Sequence, residues 1–194
     1  GFAQANLVVL PVGQAEDFQA FCQRNPKPCP LLDVTAPGAA VPARIASAAD
    51  IRTDLPRYRV WEHGEVIDEP TDVTNFWRDD LVGFLIGCSF TFEAALLKGG
   101  LEVRHQTCET NVPMYRTSVE CEPAGVFRGR LVVSMRPYGP ADVVRAVEIT
   151  SRFPEVHGSP VHVGLPELLG IEDLGRPDYG DAVPVGDNEL PVFW

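Results

Sequence analysis

Asp80-Leu-Val-Gly-Phe-Leu-Ile-Gly-Cys-Ser-Phe-Thr-Phe-Glu93 is the stretch on which the fold turns. An apolar pattern runs into Gly87, and a helical pattern opens at once behind Cys88 and Ser89. Upstream, Val73, Phe76, Trp77, Leu81, Phe84 and Leu85 follow helical spacing, and Asp72 stands where an N-cap belongs, so a helix is expected from 72 to 86. The following helix is expected from Ser89 to Lys98, closed by Gly99-Gly100. A helix start of this kind offers free backbone N–H groups and a positive end to a small anion. It also sets the Cys88 thiol, the Ser89 hydroxyl and the Glu93 carboxylate within about a turn of one another. Ser89 has two readings, an anion-binding hydroxyl or the cap of its own helix. Cys88 has two as well: a proton donor or nucleophile, whose pKa a helix start lowers, or a packed thiol.

Outward from this stretch the chain alternates short elements. Strands are expected at Ala5–Leu10, Leu31–Val34, Leu101–Gln106, Met114–Val119 and Leu131–Met135, and a hairpin at Arg57–Glu69 around His63-Gly64. Helices are expected at Glu16–Arg24 and Pro140–Ser151, the latter with proline in its first turn. From Phe153 onward the reading is mainly loop, with a short helix at Pro166–Leu169. The mixture predicts an α/β fold in the broad sense (mixed α+β): a mixed sheet with flanking helices, and a second, smaller α+β lobe within 50–130.

Three arginines sit in short, otherwise uncharged motifs. Arg116, in Val112-Pro-Met-Tyr-Arg-Thr117 beside Tyr115, is suited to grip a carboxylate through two parallel N–H bonds; the alternative is a solvated strand arginine. Arg136 lies near the carboxyl end of a very apolar strand, as a ligand contact or a charge-paired structural residue. Arg52, in Ile51-Arg-Thr-Asp-Leu-Pro56, is a substrate contact or a turn residue paired with Asp54. The loop Val156-His-Gly-Ser-Pro-Val-His162 holds two of the four histidines, and His157 and His162 are read as proton carriers. His63 and His105 read as surface or core residues.

The net charge is −11 in 194 residues. That balance argues against a nucleic-acid or anionic-membrane partner. No apolar run approaches the roughly 20 residues of a membrane helix. The five cysteines, at 22, 29, 88, 108 and 121, form no Cys-x-x-Cys, so a reducing, cytoplasmic setting is expected rather than a disulfide framework. No dinucleotide fingerprint or phosphate loop is present, and no cofactor is expected. A divalent metal on the histidine loop would need outside carboxylates such as Asp173, Asp178 or Asp181.

Together with Gln4–Pro11, Asp50–Pro56, Leu131–Pro137 and the Arg116 and His157 motifs, the opening stretch resembles the hydro-lyase family that includes the mitochondrial D-glutamate cyclase. The matching blocks run in order from Gln4 to Trp194. The resemblance implies a lyase that removes water from a small acidic metabolite, with cyclisation of D-glutamate to 5-oxo-D-proline as the leading reaction. The alternatives are β-elimination from a small hydroxy-acid and non-catalytic binding of a small acid. The demands of that chemistry cast Cys88, Ser89, Glu93, His157 and His162 in catalysis and Arg52, Tyr115, Arg116 and Arg136 on the substrate. The resemblance implies further sequence on both sides of these residues and a mitochondrial matrix location if the source is a eukaryote; a homo-oligomer is left open as a partner state.

Overall fold

The computed structural model describes residues 3–194. It divides into two compact units, one formed by residues 5–16 and 31–86 and the other by residues 3–4, 17–30 and 87–194. Both contain strands and helical turns, so the fold is mixed α+β as expected.

The smaller unit is built on a three-stranded sheet in the order β1 (Ala5–Pro11), β5 (Leu81–Gly87), β2 (Leu31–Val34), with β2 and β5 antiparallel. Here the expected helix over 72–86 is overturned. The segment holds only a single 3₁₀ turn, Thr74–Phe76, started by a bond from the Thr74 N–H to Asp72 Oδ1, followed by strand β5. The reason is physical: a short continuous apolar run fits a strand flanked on both sides as well as a helix. Gly83 weakens a helix here, and in the strand it lies against Ile51, where a Cβ would be 2.6 Å from Ile51 Cδ1. The hairpin β3 (Val60–Glu62)–β4 (Glu65–Asp68) forms as expected, with His63 and Gly64 both at positive φ, as a tight two-residue turn requires. On β2, Asp33 is buried and its carboxylate accepts the N–H groups of Val34, Arg44 and Ile45.

The larger unit carries an antiparallel four-stranded sheet, β6 (Met114–Glu120), β7 (Arg130–Tyr138), β9 (Leu190–Phe193) and β8 (His162–Val163) in that order. Helices α2 (Phe90–Lys98) and α4 (Pro140–Thr150) pack together, and α1 (Val12–Arg24) contributes its second half to this unit. Strand alternation divides the core in two. Tyr138, Val192 and Trp194 pack with Phe92 and Leu96 of α2 and Val143 and Ala146 of α4. Tyr115, Val133, Met135 and Phe193 instead join Leu169, Ile171 and Val183. Two local expectations change here. Residues 101–106 do alternate in burial, but the chain turns helical at α3 (Arg104–Thr107). Strands β8 and β9 form in a region read as loop.

Candidate active site

Strand parity decides where Arg136 goes. Met135 and Val133 face one core layer, so Ser134 and Arg136 must point toward the layer that contains α2. Arg136 is fully buried there, its guanidinium 5.3 Å from the Phe92 ring and 5.5 Å from Trp194. A buried guanidinium has to be paired and hydrogen-bonded, and this one is. Its Nε donates to Glu93 Oε1 at 3.0 Å, and Nη2 donates to the same oxygen. Nη2 also reaches Ser89 Oγ at 3.2 Å, and Nη1 reaches Ser134 Oγ at 3.0 Å.

Glu93 is equally committed. Its other oxygen accepts from Gln106 Nε2 at 2.7 Å, and His105 Nε2 lies 3.3 Å from Oε1. Burial pushes the Glu93 carboxyl upward, but the bond from His105 and the charge and bonds of Arg136 outweigh it, leaving the carboxyl below its ordinary range. Glu93 is therefore an anion held in place, four residues into a helix whose start it faces.

That helix start follows β5 without a linker. The N–H of Gly87 goes to the Pro30 carbonyl at 2.8 Å and that of Cys88 to the Gln4 carbonyl at 3.1 Å. The next two amides, Ser89 and Phe90, open the helix and have no carbonyl behind them within it. Ser89 does not cap: its side chain makes no cap bond and turns to Arg136 instead. Gly87 is needed because Glu155 and Val156 pass so close that a Cβ would collide with the Glu155 carbonyl and lie 2.8 Å from Val156 Cγ1. This contact brings the histidine loop onto the turn.

His157 sits at φ 80°, half-buried, with Nδ1 2.9 Å from the Lys27 carbonyl. A carbonyl only accepts, so Nδ1 carries the hydrogen and the lone pair of the neutral ring is on Nε2. Burial pushes the imidazole below its ordinary value, against the bonds to the main chain of Lys27 and Gly87; the charges of Arg136 and Lys27 add to the lowering. His157 is thus a neutral imidazole beside the turn at pH 7.

The structure unites Ser89, Glu93 and Arg136, with Cys88 half-buried on the same turn and His157 next to it. It separates the others. His162 stacks at 6.1 Å from Phe193 and contacts the Leu165 carbonyl through Nε2. Tyr115 is buried in the opposite core layer, its hydroxyl donating to the Leu174 carbonyl at 2.7 Å and its pKa pushed up by burial to about 12. Arg116 is exposed and bonds the Tyr179 hydroxyl; with Arg130, Arg176, Asp173 and Asp178 it lines a separate cavity of about 390 Å³. Arg52 belongs to the smaller unit and pairs with Asp50, not Asp54, at 2.6 Å. Among the described residues no group of three or more His, Cys, Asp or Glu side chains is arranged to hold a metal ion, and no helix is long and apolar enough to cross a membrane.

His105 and Gln106 are the members of the cluster that the sequence did not single out. The one available signal was the buried alternation Leu101, Val103, His105, which puts an imidazole on an inward-facing position.

A family model described as D-glutamate cyclase matches residues 82–194, the segment that holds the whole cluster. The chain is 58% identical over its full 194 residues to a protein named "Putative hydro-lyase" from Bradyrhizobium diazoefficiens, spanning 72% of that relative. It is 61% identical, again over all 194 residues, to proteins given the same name in Rubrobacter xylanophilus and Bordetella pertussis, spanning 75% and 70% of them. The chain belongs to the D-glutamate cyclase family of hydro-lyase enzymes.

Proposed function

We propose that the protein eliminates water from a small acidic metabolite, and that its substrate is D-glutamate, cyclised to 5-oxo-D-proline. The family match supports the reaction class. The observation that carries the site is a serine at a helix start whose hydroxyl makes no cap bond and accepts from a buried Arg136, beside a neutral His157.

The reaction makes defined demands. The substrate nitrogen attacks the γ-carboxyl carbon, a C–N bond forms, and an oxyanion develops. A C–O bond then breaks, and two protons pass from nitrogen to the departing oxygen as water. In this reading the Ser89 and Phe90 amides face the oxyanion, a contribution of about 10²–10³-fold per donor. His157, through Nε2, moves a proton, worth about 10²–10⁴-fold. Arg136 and Glu93 are buried; in this reading they fix the start of α2 and the Ser89 hydroxyl. Cys88, on the same turn, is a further candidate to meet the substrate. A cytoplasmic setting is part of the proposal, on the five unbridged thiols.

Incubation of the purified protein with D-glutamate, followed by chiral chromatography with mass detection, tests this. Formation of 5-oxo-D-proline with the α-hydrogen retained in D₂O is expected. A hydroxy-acid dehydrated with loss of its α-hydrogen would establish β-elimination instead. A second reading, binding without turnover, is favoured by the three arginines around the 390 Å³ cavity. It predicts thermal stabilisation by D-glutamate that Arg116→Ala abolishes, with no product.

A further inference from the structure

The buried ion pair has a third member whose second face is unused. His105 Nε2 lies 3.3 Å from Glu93 Oε1. A carboxylate accepts only, so Nε2 carries the hydrogen, and the lone pair of the neutral ring falls on Nδ1. That atom is buried, in a residue only 5% exposed, and has no hydrogen-bond partner among the described residues. Buried polar atoms in folded proteins are almost always paired, and each exception needs a reason. A second exception lies on the same side of the sheet as Arg136: the Tyr138 hydroxyl is also buried and unpartnered, and the charges of Arg136 and Glu93 act on it. Two unpaired polar atoms around one fully bonded ion pair mark a place for a polar occupant.

The arrangement is that of a carboxylate–imidazole dyad. In such a dyad the carboxylate holds one ring nitrogen in its N–H form, orients the ring and stabilises the imidazolium that forms when the other nitrogen takes a proton. Glu93 is kept anionic for that task by Arg136 and Gln106. The charged group shown against the ring is Glu93 from α2, itself paired with Arg136 from β7. Glu102 and Arg104 come from the histidine's own segment, and Arg104 is tied to Glu102 and Glu189.

We infer that His105 is a second catalytic residue, a proton carrier that meets the substrate through Nδ1 with Glu93 as its anchor. This rests on the cyclisation reading above. That reaction must transfer two protons from nitrogen to oxygen; His157 carries one and His105 the other, each ring returning to neutral when water departs. Tyr138 donates its hydroxyl hydrogen to the same occupant.

His105→Gln tests it, because a glutamine amide can still donate to Glu93 from about the Nε2 position yet has no basic nitrogen. The folded variant is expected to keep its KM and to lose about 10²–10⁴-fold in kcat. Wild-type kcat in a folded His105→Gln protein overturns the inference. ¹⁵N NMR of the wild-type histidines gives a readout independent of turnover: Nδ1 of His105 should lack a hydrogen and shift on addition of D-glutamate. If D-glutamate is bound but not cyclised, the cyclisation reading fails and the catalytic role of His105 with it, while a His105 shift still shows that Nδ1 meets the ligand. A protonated Nδ1, or a resonance unmoved by D-glutamate and by small hydroxy-acids, overturns the inference whether or not the variant folds.

Discussion

Arg136 Nε lies 3.0 Å from Glu93 Oε1, with neither side chain meaningfully exposed, and this pair joins the central strand of the larger unit to the helix that opens its candidate site. Replacing one partner of such a pair strands the other. Arg136→Met should therefore destabilise the protein by about 3–5 kcal/mol. Glu93→Leu combined with Arg136→Met removes both charges and should recover most of the loss, because well-packed apolar replacements of a buried pair are often neutral. Denaturant unfolding of the three proteins measures both; a double variant as unstable as the single one would show that the pair is not the source.

His157 ties stability to pH. Its folded-state pKa is below the ordinary value, chiefly through burial, so the unfolded chain takes the proton first as pH falls. The contribution is complete above pH ~6.5 and declines below it until the lowered folded value is passed. His157→Asn suits the left-handed backbone at this position and keeps a donor for the Lys27 carbonyl. Its stability should be flatter between pH 7 and 5 than that of the parent. If His157 carries a proton in catalysis, kcat should fall about 10²–10⁴-fold while the variant stays folded.

Much of this arrangement was legible in the sequence, and the part that was not has identifiable causes. The α2 start, the β7 strand and the hairpin at His63-Gly64 are local signals, and they appear where the pattern puts them. Strand β5 was not readable, because its apolar run carries helical spacing and only its neighbours on both sides reveal a strand. The partnership of Glu93 with Arg136 spans 43 residues and follows from strand parity, which fixes which face a residue takes but not what it meets there. Tyr115 and Arg116 are adjacent on a strand, which turns their side chains to opposite faces, yet both line the cavity that lies apart from the Arg136 cluster, a placement that spacing alone does not show. His105 was passed over because a lone histidine in alternating sequence has no local partner to betray it.

Asp33 organises the smaller unit through one carboxylate that accepts three backbone N–H groups, from Val34, Arg44 and Ile45. Asp33→Ala removes every one of those bonds from a side chain in a buried position. A loss of about 1–3 kcal/mol is expected, since the freed amides at 44 and 45 can turn to water. Hydrogen exchange should show faster exchange at Arg44 and Ile45 than at the β5 amides, which keep their ladder partners; uniform acceleration would mean that Asp33 supports the whole unit instead.

Gly87 is the last test, because it separates placement from chemistry. The residue bonds Pro30 and contributes no side chain, yet its Cα faces the main chain of Glu155 and Val156 so closely that one methyl group has no room. Gly87→Ala must push the Glu155–His157 segment away or shift the start of α2. Overpacking of this kind costs about 1–3 kcal/mol. Since the obstacle is backbone rather than a flexible side-chain tip, relaxation should move His157 relative to Ser89. Under the proposed mechanism kcat falls more than KM changes, because the proton carrier leaves the amides that hold the oxyanion. A Gly87→Ala protein that loses stability by this amount but keeps its kcat would place the working chemistry elsewhere than at this turn.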